Sequence, residues 1–467
     1  MDSLFRTLPL LLACCLTGLS QSNPASLRAG AAAVDISPAI GVSLDGLLQK
    51  HGPIKRVVDP LYARCLVLDD GSTRLPIVMV DACLLSGKVI DRAKTLTAKQ
   101  TGQATDRILI AATHTHMAPR LAGWTDSEID RKYYDQVTGG IAKAIGLSIE
   151  RLAPAKIGWD SIDRKQYLNN RRWIMKPGTV GPNPFGERGD RVVMGGSPAK
   201  NRDRPAGPVD PAFTVISVRH LDDRPLALLA NFGIHYGTNQ KGVASADYFG
   251  HFAKSVEAAL TDGAEYPSMV ALISNGASAD VGSRGGDFKR IRQFADALAK
   301  DAHQLTQRIN HRADVALGMS ETQIELGVRK PEANRLTWAR NVLSSKSKGP
   351  THRWTRIFAE EAIHMAKYPD CMSIKLQALR IGDLAIVGIP GEVFAGTGLA
   401  LRRDSPLKTT MTISHANDWH GYIPTPEQHE LGGMEVWPRR ASYLEREAST
   451  KIRTQLNRML RSLSAVE

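Results

Sequence analysis

His114 and His116 stand two residues apart at the end of the apolar run Ile108-Leu109-Ile110-Ala111-Ala112, within the string Thr113-His114-Thr115-His116. The run reads as a buried strand. Side chains alternate along a strand, so the two imidazoles are expected on one side of the sheet. Met117-Ala118-Pro119 then stops the strand and leaves both rings at its mouth, where α/β proteins place their ligands. Imidazole is the commonest protein metal ligand and the side chain most readily poised near neutral pH. The pair therefore points to metal-assisted hydrolysis. Two histidines in such a place also suit a hydrogen-bonded core, so the reading depends on further ligands in similar settings.

Similar settings recur along the chain. The run Leu226-Ala227-Leu228-Leu229-Ala230 continues through Asn231-Phe232-Gly233-Ile234 and ends at His235. Met269-Val270-Ala271-Leu272-Ile273 ends in a small-residue turn that leads to Asp280, and a hairpin over residues 374–389 leads into Pro390-Gly391-Glu392. Two histidines and a carboxylate, with one position open to water, form the ligand set of a catalytic zinc. Such a metal polarises a carbonyl and brings the pKa of its water to about 7. Singly, Asp280 and Glu392 also suit turn or capping roles. A second cluster, His415, His420 and His429 with Asp418 and Glu430, reads mostly as pocket-wall or surface groups. Ser274 and Ser278 read as turn residues, and no G-x-S-x-G elbow supplies a serine nucleophile.

The elements that must position these groups alternate between strand and helix. Helical spacing covers residues 89–103, 130–152, 252–260, 288–309 and 332–367, the last around a loop at 344–349, and an amphipathic helix is expected over 441–463. The fold class is α/β: a single large domain of mixed β-sheets flanked by helices. Residues 173–212 are rich in Pro, Gly and Arg without periodicity, as expected of a lid or pocket wall.

Composition sets the remaining bounds. The 467 residues are 42% hydrophobic and 23% charged, which is that of a globular protein. The formal charge of +13 comes without a nucleic-acid motif. It reads as surface bias, compatible with association at an anionic membrane surface or polysaccharide. Residues 1–22 carry Arg6, a short apolar stretch and small residues in the order of a secretory signal. Leu11-Leu12-Ala13-Cys14 also matches a lipobox, so export is expected, as a periplasmic, surface-anchored or secreted protein. Cys65, Cys83 and Cys371 read as small buried hydrophobes with at most one bridge, and no CxxC supplies a zinc site.

From residue 29 onward the chain resembles the neutral/alkaline (non-lysosomal) ceramidases and their bacterial relatives. The likeness rests on Ala33-Val34-Asp35-Ile36-Ser37-Pro38, Asp59-Pro60-Leu61-Tyr62-Ala63-Arg64, the THTH string and Asn170-Arg171-Arg172. It continues through Gly207-Pro208-Val209-Asp210-Pro211, residues 231–235 and 275–281, Pro390-Gly391-Glu392 and Gly421-Tyr422-Ile423-Pro424-Thr425. The resemblance implies a catalytic domain over residues 29–463, without the family's C-terminal β-sandwich. It implies zinc held by His114, His235, Glu392 and Tyr422, and catalytic roles for His116, Arg171 and Asp280. It also implies an N-acyl amide substrate, ceramide or a related acylated compound. Two positions depart from the family pattern: Gly282 stands where a serine is typical, and Met434 where a tyrosine precedes Glu435. These departures also fit a non-catalytic relative that keeps the metal and binds lipid or glycan. A lipidated Cys14 would instead fit a surface protein with a structural metal.

Overall fold

Side-chain parity divides the interior into layers. In the strands Tyr62–Asp69, Arg74–Val80 and Leu109–Ala112 nearly every residue is buried. Leu66, Leu68, Ile77, Met79, Leu109 and Ala111 face one core, while Cys65, Val67, Val78, Val80, Ile110 and Ala112 face another. A strand buried on both faces must lie between two layers. The computed structural model describes residues 27–44, 52–122, 129–236, 240–262, 269–283, 287–345 and 352–465. The segment read as a secretory signal, residues 1–22, lies outside the described residues.

The larger sheet has eight strands in the order Val270–Asn275, Pro225–Phe232, Ala212–His220, Ala153–Asp163, Arg28–Asp35, Tyr62–Asp69, Arg74–Val80, Leu109–Ala112. Only its two outermost pairs are parallel. A second sheet of four strands runs Leu317–Gly327, Cys371–Ile381, Leu384–Ile389, Thr409–Ser414, again with a parallel last pair. The two sheets bury their inner faces against each other. Leu109 and Leu229 of the first share a core with Leu379, Ile386, Met411 and Ile413 of the second. Helices Gly87–Thr101 and Arg131–Glu150 cover one part of the first sheet's outer face, and Asp247–Leu260 and Phe288–Thr306 cover the rest. Ala448–Ser464 and Ala395–Asp404 pack outside the second sheet. The result is four layers, helix–sheet–sheet–helix, as the α/β expectation of mixed sheets between helices required.

The three parallel pairs matter most for chemistry. Each brings two carboxyl ends to one rim: Val80 beside Ala112, Phe232 beside Asn275, Ile389 beside Ser414. The sheets are stitched together at that rim. Ala112 N–H donates to the His415 carbonyl (3.2 Å), Asn417 N–H donates to Ile110 (2.8 Å), and Asn231 Nδ2 donates to Thr412 (2.9 Å).

Some boundaries differ from expectation for local reasons. The strand before the THTH string ends at Ala112, because His114 takes a left-handed φ of 69° that no strand accommodates. The two histidines thus meet through a turn and not through strand alternation. The closing helix starts at Ala448 and not at 441, because the Ala441 carbonyl accepts from Tyr422 N–H and Ser442 pairs with Arg439. Within the aperiodic stretch 173–212, short strands Val192–Met194 and Arg202–Pro205 flank Arg172–Met175 in a small sheet.

Candidate metal centre

Each group arrives at the rim from a different strand end. His114 and His116 follow Leu109–Ala112, His235 follows Pro225–Phe232, and Glu392 opens the short strand Glu392–Val393 after Leu384–Ile389. That strand pairs in parallel with Tyr422–Ile423, and Glu392 stands directly opposite Tyr422. The pairing needs glycine on both sides. A Cβ on Gly391 would lie 2.7 Å from the Gly421 carbonyl, and one on Gly421 would lie 2.4 Å from the Ala441 carbonyl. Gly421 also has a φ of +74°. Gly421→Ala is therefore expected to cost about 3 kcal/mol or more, from strain and overpacking together. Its melting temperature should drop clearly; a variant melting like the parent would show that the Glu392–Tyr422 pairing does not depend on this close approach.

The side chains converge. His116 Nε2 lies 3.2 Å from His114 Nε2 and 3.1 Å from His235 Nε2. Glu392 Oε2 lies 3.9 Å from His114 Nε2 and 4.0 Å from His235 Nδ1. One ligand atom from each of His114, His235 and Glu392 falls within 4.8 Å of the other two, and all three residues are buried. His114 Nδ1 donates to the Cys83 carbonyl at 2.8 Å, which fixes the tautomer and turns the Nε2 lone pair toward the cluster. Desolvation lowers the His114 pKa to about 4, so the ring is neutral near pH 7. His116 thus sets its single Nε2 against two imidazole nitrogens at hydrogen-bond distance. His235 Nδ1 and Glu392 Oε2 are buried without a hydrogen-bond partner among the described residues. Buried orphan acceptors gathered around one point are what a cation resolves, and the donor set suits zinc.

Arg171 and Tyr422 close the other side. Arg171 Nη2 donates to the Tyr422 hydroxyl at 3.2 Å, and Arg171 Nε donates to the Ala279 carbonyl at 2.9 Å. Desolvation pushes the Glu392 carboxyl up to about 7 against the opposing pull of Arg171 and Tyr422. Asp280, expected as a catalytic group, is placed otherwise. Its Oδ1 accepts from Ala395 N–H (2.8 Å) and its Oδ2 from Asn170 Nδ2 (2.9 Å). Its backbone carbonyl accepts from Arg171 N–H at 2.8 Å. Both carboxylate oxygens are consumed in holding loops together, so Asp280 positions Arg171 instead of facing the cluster.

The second histidine cluster divides. The His415 ring stacks on His114 with centroids 4.1 Å apart and planes 14° from parallel. His420 instead pairs with Tyr443 (2.5 Å) and with Asp418 (3.4 Å), and His429 lies in the helix Pro426–Glu430. His415 follows directly on the strand Thr409–Ser414, whose threonine-rich sequence hides it from the rule of an apolar run ending in histidine that marked His235. Gly282 lies in the short strand Val281–Gly282, and a Cβ there would sit 3.3 Å from the Arg171 Cβ. Met434 lines a cavity of about 680 Å³ together with Met175, Met194, Gly195, Trp354 and Trp437. One lining residue, Gly195, is tied to the Arg171 backbone, its N–H donating to the Arg171 carbonyl at 2.9 Å. The aperiodic stretch thus forms a pocket wall, as its composition implied.

The buried histidines set a pH dependence. His114 and His311 are lowered to about 4 and His429 to about 3, while His235 and His415 fall well below 6.5, each chiefly through desolvation. A depressed folded pKa means that the unfolded chain binds more protons, so stability is present above about 6.5 and is lost as pH falls toward 4. His114 alone contributes on the order of 3 kcal/mol. Glu392, raised from 4.5 to about 7, acts in the opposite direction, losing stability as pH rises, but it is outnumbered. Metal-free protein should therefore show a melting temperature that falls steadily from pH 6.5 to 4; a flat profile would mean that these rings are not held neutral.

No family model matches the chain. Its fold is similar to that of a neutral ceramidase from Pseudomonas aeruginosa, with a TM-score of 0.71 and 16% identity over 94% of this chain and 74% of that one. A ceramidase complexed with C2 gives a TM-score of 0.69 and 16% identity over 94% of this chain and 75% of that one. At this identity the likeness is one of fold.

Proposed function

We propose that the protein is an exported, zinc-dependent hydrolase that cleaves an N-acyl amide, ceramide or a related acylated compound. The observation that carries this reading is the convergence of His114, His235 and Glu392 around buried acceptors that lack partners among the described residues. The fold likeness to ceramidases supports the substrate class at a coarse level. Export follows from the signal-like residues 1–22, and among the described residues no helix is long and apolar enough to cross a membrane.

In this reading His114, His235, Glu392 and Tyr422 hold the metal. Zinc bound there supplies Lewis acidity to an acyl carbonyl and acidifies water. Arg171, anchored through Nε on Ala279 and through its backbone on Asp280, presents fixed positive charge where negative charge develops on the carbonyl oxygen. His116 lies within the cluster but outside the ligand set, so it moves the proton. It accepts one as water adds to the carbonyl carbon and returns it to the nitrogen as the C–N bond breaks. The cavity whose apolar wall is formed by Met434 and the two tryptophans accommodates part of the substrate.

The test is metal analysis of purified protein together with hydrolysis assays on ceramide and on simpler N-acyl amides. One equivalent of zinc with turnover of an acyl substrate supports the reading, and absence of stoichiometric zinc overturns it. Zinc without turnover of any acyl substrate favours a lipid- or glycan-binding protein, the reading to which Gly282 beside Arg171 and Met434 in the cavity wall lend weight.

A further inference from the structure

Cys83 lies against His114, and the proposed hydrolysis gives its thiol no role. The residue is 4% exposed. It enters the centre already through its carbonyl, which orients His114. One ligand atom from each of Cys83, His114 and His116 lies within 4.8 Å of the other two, the same closeness that defines the His114–His235–Glu392 group. The two groups differ in chemistry. A thiolate with two imidazoles is a soft donor set that favours thiophilic ions, whereas replacing sulfur by a carboxylate moves the preference toward harder ones. They also share a member. A neutral imidazole whose Nδ1 proton is held by a carbonyl keeps one lone pair, so His114 can serve one cation at a time.

We propose that Cys83, His114 and His116 form a second coordination set for a thiophilic cation such as Cd2+ or Cu+, mutually exclusive with the His114–His235–Glu392 set. Binding exchanges the S–H bond for a sulfur–metal bond and releases the proton to solvent, with no change of oxidation state. A cation held there withdraws His114 from the first set and occupies His116. It therefore acts as a reversible block on the centre, released by a thiol chelator. The inference concerns binding and does not require that the protein turn over any substrate.

The test titrates Cd2+ into chelator-stripped protein and follows the ultraviolet thiolate-to-cadmium charge-transfer band. The parent protein should develop a band that is lost in Cys83→Ser and retained in Glu392→Gln. His116→Ala should weaken cadmium binding at least tenfold by the same titration. Adding Cd2+ to zinc-loaded protein should free one zinc per cadmium bound, read with a zinc-sensitive dye, and this release should fail in Cys83→Ser. A band of parental intensity in Cys83→Ser, its loss in Glu392→Gln, or no band in the parent would each overturn the proposal. Equal zinc release from parent and Cys83→Ser would overturn exclusivity. If Cys83→Ser does not fold, the His116→Ala and Glu392→Gln arms decide alone: weakened binding in the first with the band kept in the second supports the proposal, and any other pattern refutes it.

Discussion

His114→Ala protein should purify without stoichiometric zinc and with kcat/KM on its best acyl substrate reduced on the order of 10⁴-fold or more, because several kcal/mol of charge stabilisation leave with the metal. His114 is central in a geometric sense. Its Nε2 approaches both His116 and Glu392, its Nδ1 is fixed on Cys83, and its ring is stacked on His415. Its left-handed backbone, φ 69°, aims the ring. The variant should still fold. Alanine at a φ of 69° is strained by about 1–2 kcal/mol, a cost that a chain with this much buried core tolerates. Metal analysis, circular dichroism and initial rates check the three parts. Full zinc in a folded, inactive His114→Ala protein would remove His114 from the ligand set.

The second large effect separates chemistry from binding. His116→Ala should retain zinc and lose turnover by about 10²–10⁴-fold, for removal of a proton-transfer group, and Arg171→Ala should lose turnover by about 10²–10³-fold, for removal of an oxyanion donor. Arg171 touches the Tyr422 hydroxyl, so its loss should also weaken zinc retention modestly, about 10–100-fold in affinity. Arg171→Lys should not restore activity, because one ammonium cannot reach Ala279 and Tyr422 together as the guanidinium does. Equilibrium dialysis of zinc beside steady-state rates reads both quantities. Loss of zinc in His116→Ala to the extent seen in His114→Ala would refute the division of roles between the two histidines.

The layered α/β architecture was legible because its cause is local. Short apolar runs such as residues 108–112 and 269–273, bounded by turn residues, suit strands buried on both faces, and helical spacing marks what covers them. Glu392 and His235 were found by the same means, as polar breaks at the ends of apolar runs. Tyr422 entered only through resemblance, because no spacing marks a tyrosine as a ligand; its place opposite Glu392 depends on a two-residue pairing that Gly391 and Gly421 permit. Asp280 follows a strand end like the others, yet its carboxylate accepts from Ala395 and Asn170, more than a hundred residues away, and no local pattern marks those partners.

The sequence by itself determined the kinds of ligand available and their positions at strand ends, since both follow from residue chemistry and short-range pattern. Only the tertiary structure decided which of them meet. The two sheets join where Ala112 bonds to His415 and Asn417 to Ile110, and that junction carries His415 onto His114 while His420 turns away to Tyr443. The same junction leaves His114 between a carboxylate and a thiol, two donor sets around one imidazole. Such a choice is a property of long-range register, set by how two sheets pack, and no local pattern encodes it.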